Sequence, residues 1–384
     1  MRQLKRHFIK LAGGIESSYD VIAFELRKRL KSDRPLQIVT YRSYGTVNRL
    51  YVKGRVLKDK SIRKSTGQDS IWNNVVNMYK RFESDEVPNA KLTITFEGEA
   101  YETSTDREGY FTVNLYTETP ITWTDMWHEV QVALTEAPYA FTPGIADTAH
   151  VLVPPVDAEY GIISDIDDTI VKTTATSLIA MSRNTFFHNA HTRLPFAGVA
   201  EFYKSLQLGR NGKRNNPFFY VSSSPWNLYD LLIDFLDIND IPEGPLLLRD
   251  FGLDAGKESA SHMGHKFKEI KNILLAYPHL NFVLIGDSGQ EDPKIYREIT
   301  SQFPGRILAI YIRDVQLSDR EKIAIDISRQ LAEEKVEMVI VDNTVEAAEH
   351  AAKNGLIYTE EIPKIEVDKK QDKGELPGKL AIGD

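Results

Sequence analysis

Asp165 and Asp167 stand two residues apart where an apolar run ends, in Gly161-Ile162-Ile163-Ser164-Asp165-Ile166-Asp167-Asp168-Thr169. Carboxylates are out of place in an ordinary buried strand, so the run reads as a catalytic strand end. Residues i and i+2 of an extended segment face the same side, which lets the two carboxylates share one cation and still differ in protonation. Phosphoryl transfer needs both parts, a metal and a carboxylate nucleophile. Later clusters add complementary groups. Ser222 and Ser223 close Phe218-Phe219-Tyr220-Val221-Ser222-Ser223, Lys266 opens a helical pattern, and Asp287 and Asp292 lie in Gly286-Asp287-Ser288-Gly289-Gln290-Glu291-Asp292. Nucleophile, hydroxyl donors, a fixed cation and carboxylates for magnesium are what a transferring phosphoryl group requires.

The elements that must position these groups alternate strand with helix. Strands are predicted over Gly161–Ile166, Phe218–Ser222, Pro245–Leu248, Asn281–Ile285, Arg306–Ile312 and Val336–Val341. Helices are predicted over Val199–Leu208, Trp226–Leu236, Lys266–Ala276, Pro293–Gln302, Asp319–Glu334 and Val345–Lys353. This rhythm predicts an α/β domain with a doubly wound, mostly parallel sheet, in which ligands collect beyond the carboxyl ends of the strands. Ahead of it, runs at Leu36–Tyr41, Tyr51–Leu57, Leu92–Glu97, Tyr110–Leu115 and Val130–Leu134 predict a smaller antiparallel β-sandwich, interrupted by a helix at Ile71–Phe82. A turn through Asp106-Arg107-Glu108-Gly109 is expected to join two of these runs as a hairpin, and Pro143–Pro155 reads as a linker. The expected division is a basic helical segment at 1–34, the sandwich and linker at 35–155, the catalytic domain at 156–361 and a disordered tail at 362–384.

The four clusters, in this order, resemble the motifs of the haloacid dehalogenase superfamily. Closer similarity is to the actin-patch-protein-like phosphatidate phosphatases, in particular their bacterial members. It rests on Ile163-Ser164-Asp165-Ile166-Asp167-Asp168-Thr169, Tyr220-Val221-Ser222-Ser223-Ser224-Pro225-Trp226-Asn227-Leu228-Tyr229, Leu246-Leu247-Leu248-Arg249-Asp250 and Leu284-Ile285-Gly286-Asp287-Ser288-Gly289-Gln290. The resemblance implies a haloacid-dehalogenase-like fold and Mg²⁺ as cofactor. It implies Asp165 as the nucleophile that forms an aspartyl-phosphate and Asp167 as general acid and then base. Thr169 would shape the loop, Ser222 with Ser223 would bind phosphoryl oxygens, and Lys266, rather than Lys268 or Lys271, would neutralise nucleophile and phosphate. Asp287 would join Asp165 and the Asp167 carbonyl around the metal, with Asp292 in support through water or by orienting Lys266. The implied substrate is phosphatidate, a phosphorylated lipid.

Each motif also has a plainer reading. Asp167-Asp168-Thr169 suits a helix cap, Gly286-Asp287-Ser288-Gly289 a turn, and Asp292-Pro293 an N-cap followed by proline. His188 with His191, and His262 with His265, have a metal-compatible spacing but no third ligand. The segment Thr173–Phe196 mixes Leu178, Ile179, Phe186 and Phe187 with Arg183, which suits a small flap whose arginine meets substrate, and equally a packed insertion.

Composition narrows the class. A net charge of -8 argues against nucleic acid as partner, and no apolar run reaches the ~18 residues that cross a bilayer. With no cysteine there is no disulfide or thiol chemistry, and a cytoplasmic location follows as the default, peripheral to a membrane if the basic start lies on it. That start, with Arg2, Lys5, Arg6 and Lys10 among Leu4, Phe8 and Ile9, reads as a lipid-surface helix or as a helix packed on its own protein. The expected function is a magnesium-dependent phosphatase acting on phosphatidate. The alternatives are a phosphatase of soluble phosphoesters or phosphoproteins, and a membrane- or partner-binding protein with little catalysis. The oligomeric state is left open by these residues.

Overall fold

The computed structural model describes residues 35–58, 86–117, 125–167, 169–170, 196–249, 262–315 and 318–376. The basic start, the Ile71–Phe82 helix, Arg183 with nearly all of the Thr173–Phe196 flap, and the last eight residues of the expected tail lie outside them.

Six short strands form a wholly parallel sheet: β9 (Gly161–Ser164), β10 (Phe218–Pro225), β11 (Leu246–Arg249), β12 (Phe282–Asp287), β13 (Ile307–Arg313) and β14 (Met338–Val341). Their order is β11-β10-β9-β12-β13-β14, so the chain reverses its direction of travel across the sheet between β9 and β12. A strand buried on both faces must be apolar on both, and β9 is: Ile162 packs into one core and Ile163 into the other. On the Ile162 side lie α1 (Val199–Leu208), α2 (Tyr229–Ile238), α6 (Thr344–Lys353) and α7 (Ile362–Asp372). On the Ile163 side lie α3 (His262–Ala276), α4 (Asp292–Gln302) and α5 (Ser318–Glu333). Such a sheet opens a crevice beyond its carboxyl edge where the strand order reverses.

The helix over Ile362–Asp372 corrects the expected tail. Its composition is polar, yet Ile365 is fully buried, and two of its carboxylates serve α1: Asp372 accepts from the Gly198 amide at 2.8 Å and Asp368 from Glu201 at 3.2 Å. Gly198, at φ 82°, leaves α1 without a side-chain cap of its own, so the neighbouring helix supplies the acceptors.

The preceding strands are β1 (Leu36–Tyr41), β2 (Ser43–Thr46), β3 (Arg49–Lys58), β4 (Lys91–Phe96), β5 (Glu99–Ser104), β6 (Tyr110–Tyr116), β7 (Trp127–Glu136) and β8 (Ala146–Leu152). They join in one sheet, β1-β3-β2-β8-β7-β4-β5, with β6 on β3. The sheet curls so that Val52 and Val56 of β3 share a core with Ile94 of β4 and Val132 of β7. Its pairings are antiparallel except β2 with β8, which is parallel, so the module is mixed. Two further expectations are corrected. The Lys91–Phe96 strand turns through Glu97-Gly98 to pair with β5, and the Tyr110 strand pairs with β3. The Pro143–Pro155 stretch contains β8, held between β7 and β2, because Ala149, Val151 and Leu152 bury their side chains completely. No helix among the described residues is long and apolar enough to cross a membrane.

Candidate active site

The carboxyl ends of β9, β10 and β12 and the second turn of α3 meet in one buried cluster. Asp165 follows β9 directly and its amide donates to the Ile285 carbonyl at 2.9 Å, which carries the sheet ladder one residue past the strand. Lys266 Nζ lies 2.9 Å from Asp165 Oδ1 and 2.7 Å from Asp292 Oδ1. The approach to Asp165 is outside hydrogen-bond geometry, so Oδ1 is a buried acceptor with no hydrogen bond. Asp287 closes β12 and accepts from the amides of Gly289 and Gln290 at 2.6 and 2.9 Å, while its own amide donates to Asp292 Oδ2 at 3.2 Å. Gly286 permits this closure: a Cβ there would meet Asp292 Oδ2 at 2.5 Å. Asp292 is the first residue of α4 rather than its cap, and its carboxylate is spent on Lys266 and the Asp287 amide.

Asp167 sits beside this group, and its Oδ2 accepts from Ser222 Oγ at 2.8 Å and Ser224 Oγ at 2.9 Å. Alternation along β10 puts Ser222 and Ser224 on one face and Ser223 on the other; Ser223 Oγ is buried with no hydrogen-bond partner. Gln290 donates to the Asp167 carbonyl at 3.2 Å and accepts from Lys266 at 3.4 Å, tying the two halves together. Thr169 Oγ1 is 3.5 Å from Asp165 Oδ2. Of the residues singled out in the sequence, the cluster gathers Asp165, Asp167, Thr169, Ser222, Lys266, Asp287 and Asp292. Lys268 is exposed, and Lys271 Nζ lies 3.5 Å from Gln302. The structure adds Ser224 and Gln290 as contacts of Asp167. The i, i+2 spacing of the serine run carried a signal for Ser224; nothing local marked Gln290.

Charge defines what the cluster can do. Burial pushes the Asp165 carboxyl well above its ordinary value; Lys266 works against this, and Asp292, Asp287 and Asp167 add to it. Burial alone would lower the Lys266 ammonium, but Asp165, Asp292 and Asp287 outweigh it and hold the group cationic. Burial lowers the ring of His265, one residue before, to about 4, which keeps it neutral near pH 7. Four acidic side chains therefore surround one permanent cation, an excess that a buried site relieves by holding a proton or a further cation. Carboxylate oxygens of Asp165, Asp287 and Asp292 lie within 4.8 Å of one another, all buried, and could hold a metal ion. An all-oxygen donor set of three buried carboxylates fits a hard divalent cation such as Mg²⁺. A further layer holds the strand ends: Tyr203 and Ser164 share a hydrogen bond at 2.7 Å, Ser164 donates to the Asp165 carbonyl at 2.7 Å, and Tyr296 donates to that of Ile285 at 2.8 Å.

The stretch with this fold and cluster has relatives of known class. Residues 160–314, from the residue before β9 to the residue after β13, match the family described as Phosphatidate phosphatase APP1, catalytic domain. Over 155 residues the chain is 39% identical to Phosphatidate phosphatase APP1 of Saccharomyces cerevisiae, an alignment covering 40% of this chain and 25% of that protein. Over 165 residues it is 30% identical to an uncharacterized protein of Schizosaccharomyces pombe, covering 42% and 26%. The chain thus spans about a quarter of the length of these relatives. A solved carbohydrate acetylesterase from Xanthomonas citri aligns with 72% of this chain and 68% of its own at 13% identity, but a TM-score of 0.24 carries no argument.

Proposed function

We propose that the parallel-sheet unit is a Mg²⁺-dependent phosphatase of the haloacid dehalogenase type that hydrolyses phosphatidate to diacylglycerol through an aspartyl-phosphate. The observation that carries this reading is the convergence of Asp165, Lys266, Asp287 and Asp292 within direct contact distances, with Asp167 fixed beside them by two serines. The strand order and the similarity of residues 160–314 to the phosphatidate phosphatase catalytic domain support the superfamily and the substrate. The unit extends from about residue 156 to 376, through α7, with the strand-rich module of 35–155 ahead of it.

In this mechanism an Asp165 carboxylate oxygen attacks phosphorus and the bond to the lipid oxygen breaks. Asp167 gives its proton to the departing oxygen, so diacylglycerol leaves neutral. Asp167 then takes a proton from water, the oxygen of that water bonds to phosphorus, and the bond to Asp165 breaks to free inorganic phosphate. Lys266 balances negative charge on Asp165 and the phosphoryl oxygens and is itself oriented by Asp292 and Gln290. Ser222 and Ser224 hold Asp167 in place; the Ser222 hydroxyl is engaged there, so its contribution to phosphate binding requires an exchange of partners. Mg²⁺, held by Asp165 and Asp287 with Asp292 in support, would neutralise the carboxylates and polarise the phosphoryl oxygens.

Phosphate release from phosphatidate in mixed micelles, measured with Mg²⁺ and with EDTA, tests the reading. Expected is metal-dependent release that Asp165→Asn abolishes. Release from soluble esters alone would remove phosphatidate as the substrate; no release from either would remove the phosphatase.

A further inference from the structure

The serines that hold Asp167 sit where β10 loses its regular neighbours. Pairing with β9 runs from Phe218 to Tyr220, and pairing with β11 breaks register between Val221 and Pro225. Such an irregularity beside a site re-aims side chains and leaves their placement to other contacts. Past Ser224 those contacts come from the strand-rich module. Pro225, at φ -73°, stiffens the link from Ser224 to a single turn of 3₁₀ helix at Trp226–Leu228. The Trp226 ring lies on Tyr41 of β1, with centres 4.5 Å apart and planes 27° from parallel. Both rings are buried, and Tyr229 packs against each, 4.6 Å from Tyr41 and 6.1 Å from Trp226. Arg55 of β3 donates to Asn227 Oδ1 at 3.5 Å, and the Arg42 amide donates to the Tyr229 hydroxyl at 2.7 Å. A seam that only joined two units could fall on any face of the parallel-sheet unit. Here it grips the turn that begins two residues after Ser224, whose hydroxyl holds Asp167.

We propose that Tyr41 is a positioning residue for the hydrolysis inferred above: through Trp226 it sets the end of β10, so that the Ser224 hydroxyl holds Asp167 at the angle at which it passes its proton. This role depends on Asp167 acting as acid and base in that reaction. It makes the strand-rich module a working part of the phosphatase, although none of its residues touches substrate.

Steady-state kinetics of the full chain on phosphatidate in mixed micelles, well below the melting temperature of each variant, test the role. Tyr41→Leu is expected to lower kcat about tenfold, part of what a general acid supplies, with KM and the Mg²⁺ concentration for half-maximal rate within about twofold of the parent. Tyr41→Phe keeps the ring and is expected to hold kcat within about twofold. A general weakening of the fold acts alike in any background, so a cycle with Ser224→Ala decides: in that background Tyr41→Leu is expected to cost no more than about twofold further, because the hydroxyl through which it acts is gone. Trp226→Phe shrinks the other side of the stack, is expected to follow Tyr41→Leu in both backgrounds, and serves if that variant does not fold. An active parent whose kcat these variants leave unchanged, or an undiminished loss in the Ser224→Ala background, overturns the positioning role and leaves the phosphatase standing. A parent that releases no phosphate overturns both.

Discussion

At Asp165 the proposed role as nucleophile and the stability of the fold pull against each other in one side chain. Its folded carboxyl holds a proton more tightly than the unfolded chain does, so the metal-free protein loses stability as pH rises from the ordinary carboxylate range through the raised folded value. Asp165→Asn removes that charge while Lys266 keeps Asp292 as partner. With EDTA at pH 7.5 the variant is expected to melt higher than the parent, by roughly 2 °C or more, and with Mg²⁺ the parent is expected to gain more than the variant. Phosphatase activity is expected to drop on the order of 10⁴-fold or more. Calorimetry in both buffers decides it, and a lower melting point with EDTA counts against the charge argument. His265 acts in the other direction. Its folded ring is depressed to about 4 from an ordinary value of about 6.5, so the stability it contributes is complete above pH 6.5 and fades as pH falls toward 4. The whole effect is about 3 kcal/mol. Urea titrations at pH 7 and pH 5 are expected to show a drop that His265→Gln reduces, and an equal drop in the variant would assign it elsewhere.

At the scale of elements, short strands deliver the chemistry and helices lock the ends. β9 is four residues long and is followed directly by Asp165, and β12, six residues long, ends in Asp287, so both deliver an aspartate of the cluster where their apolar residues reach the edge of the two cores. The helix α7 shows the same logic away from the site, since Asp368 and Asp372 accept amides at the start of α1. Replacing each by alanine is expected to cost about 1 kcal/mol, read from urea midpoints with activity retained. No change in midpoint would show that water replaces these carboxylates without loss. Polar composition hid this helix from sequence reasoning: one buried isoleucine and two capping aspartates hold it, and neither leaves a periodic apolar stripe. β8 was hidden for the opposite reason, since the prolines around it mark turns while the strand is held on one edge by β7 and on the other by β2, about a hundred residues earlier in the chain.

The whole molecule is joined by a seam of aromatic and main-chain contacts. Tyr41 of β1 stacks on Trp226 with ring centres 4.5 Å apart, the Arg42 amide donates to Tyr229 at 2.7 Å, and Tyr277 donates to the Gly45 carbonyl at 2.8 Å. Tyr41 and Tyr110 thereby belong to the same apolar core as the parallel-sheet residues on the Ile162 side. Scanning calorimetry is expected to show one unfolding transition for both units, and Tyr41→Ala, which opens a cavity in the shared core, is expected to cost about 3 kcal/mol. Two separate transitions in the parent chain would mean that the seam is too weak to couple them.

Residue order alone determined the alternation of strands and helices from β9 to α6, the buried parallel sheet, and which carboxylates and lysine stand where chemistry is possible, because hydrophobic period and polar interruptions are local properties. The closure of the curled module, through β2 on β8 and β3 on β6, and the docking of α7 were decided by pairings between residues far apart in sequence. Tertiary structure alone also assigned the serines: Ser222 and Ser224 serve Asp167 while Ser223 faces away, and Gln290 links Asp167 to Lys266. A side chain's partner is set by which strand end lies beside it, and that depends on the strand order of the entire sheet.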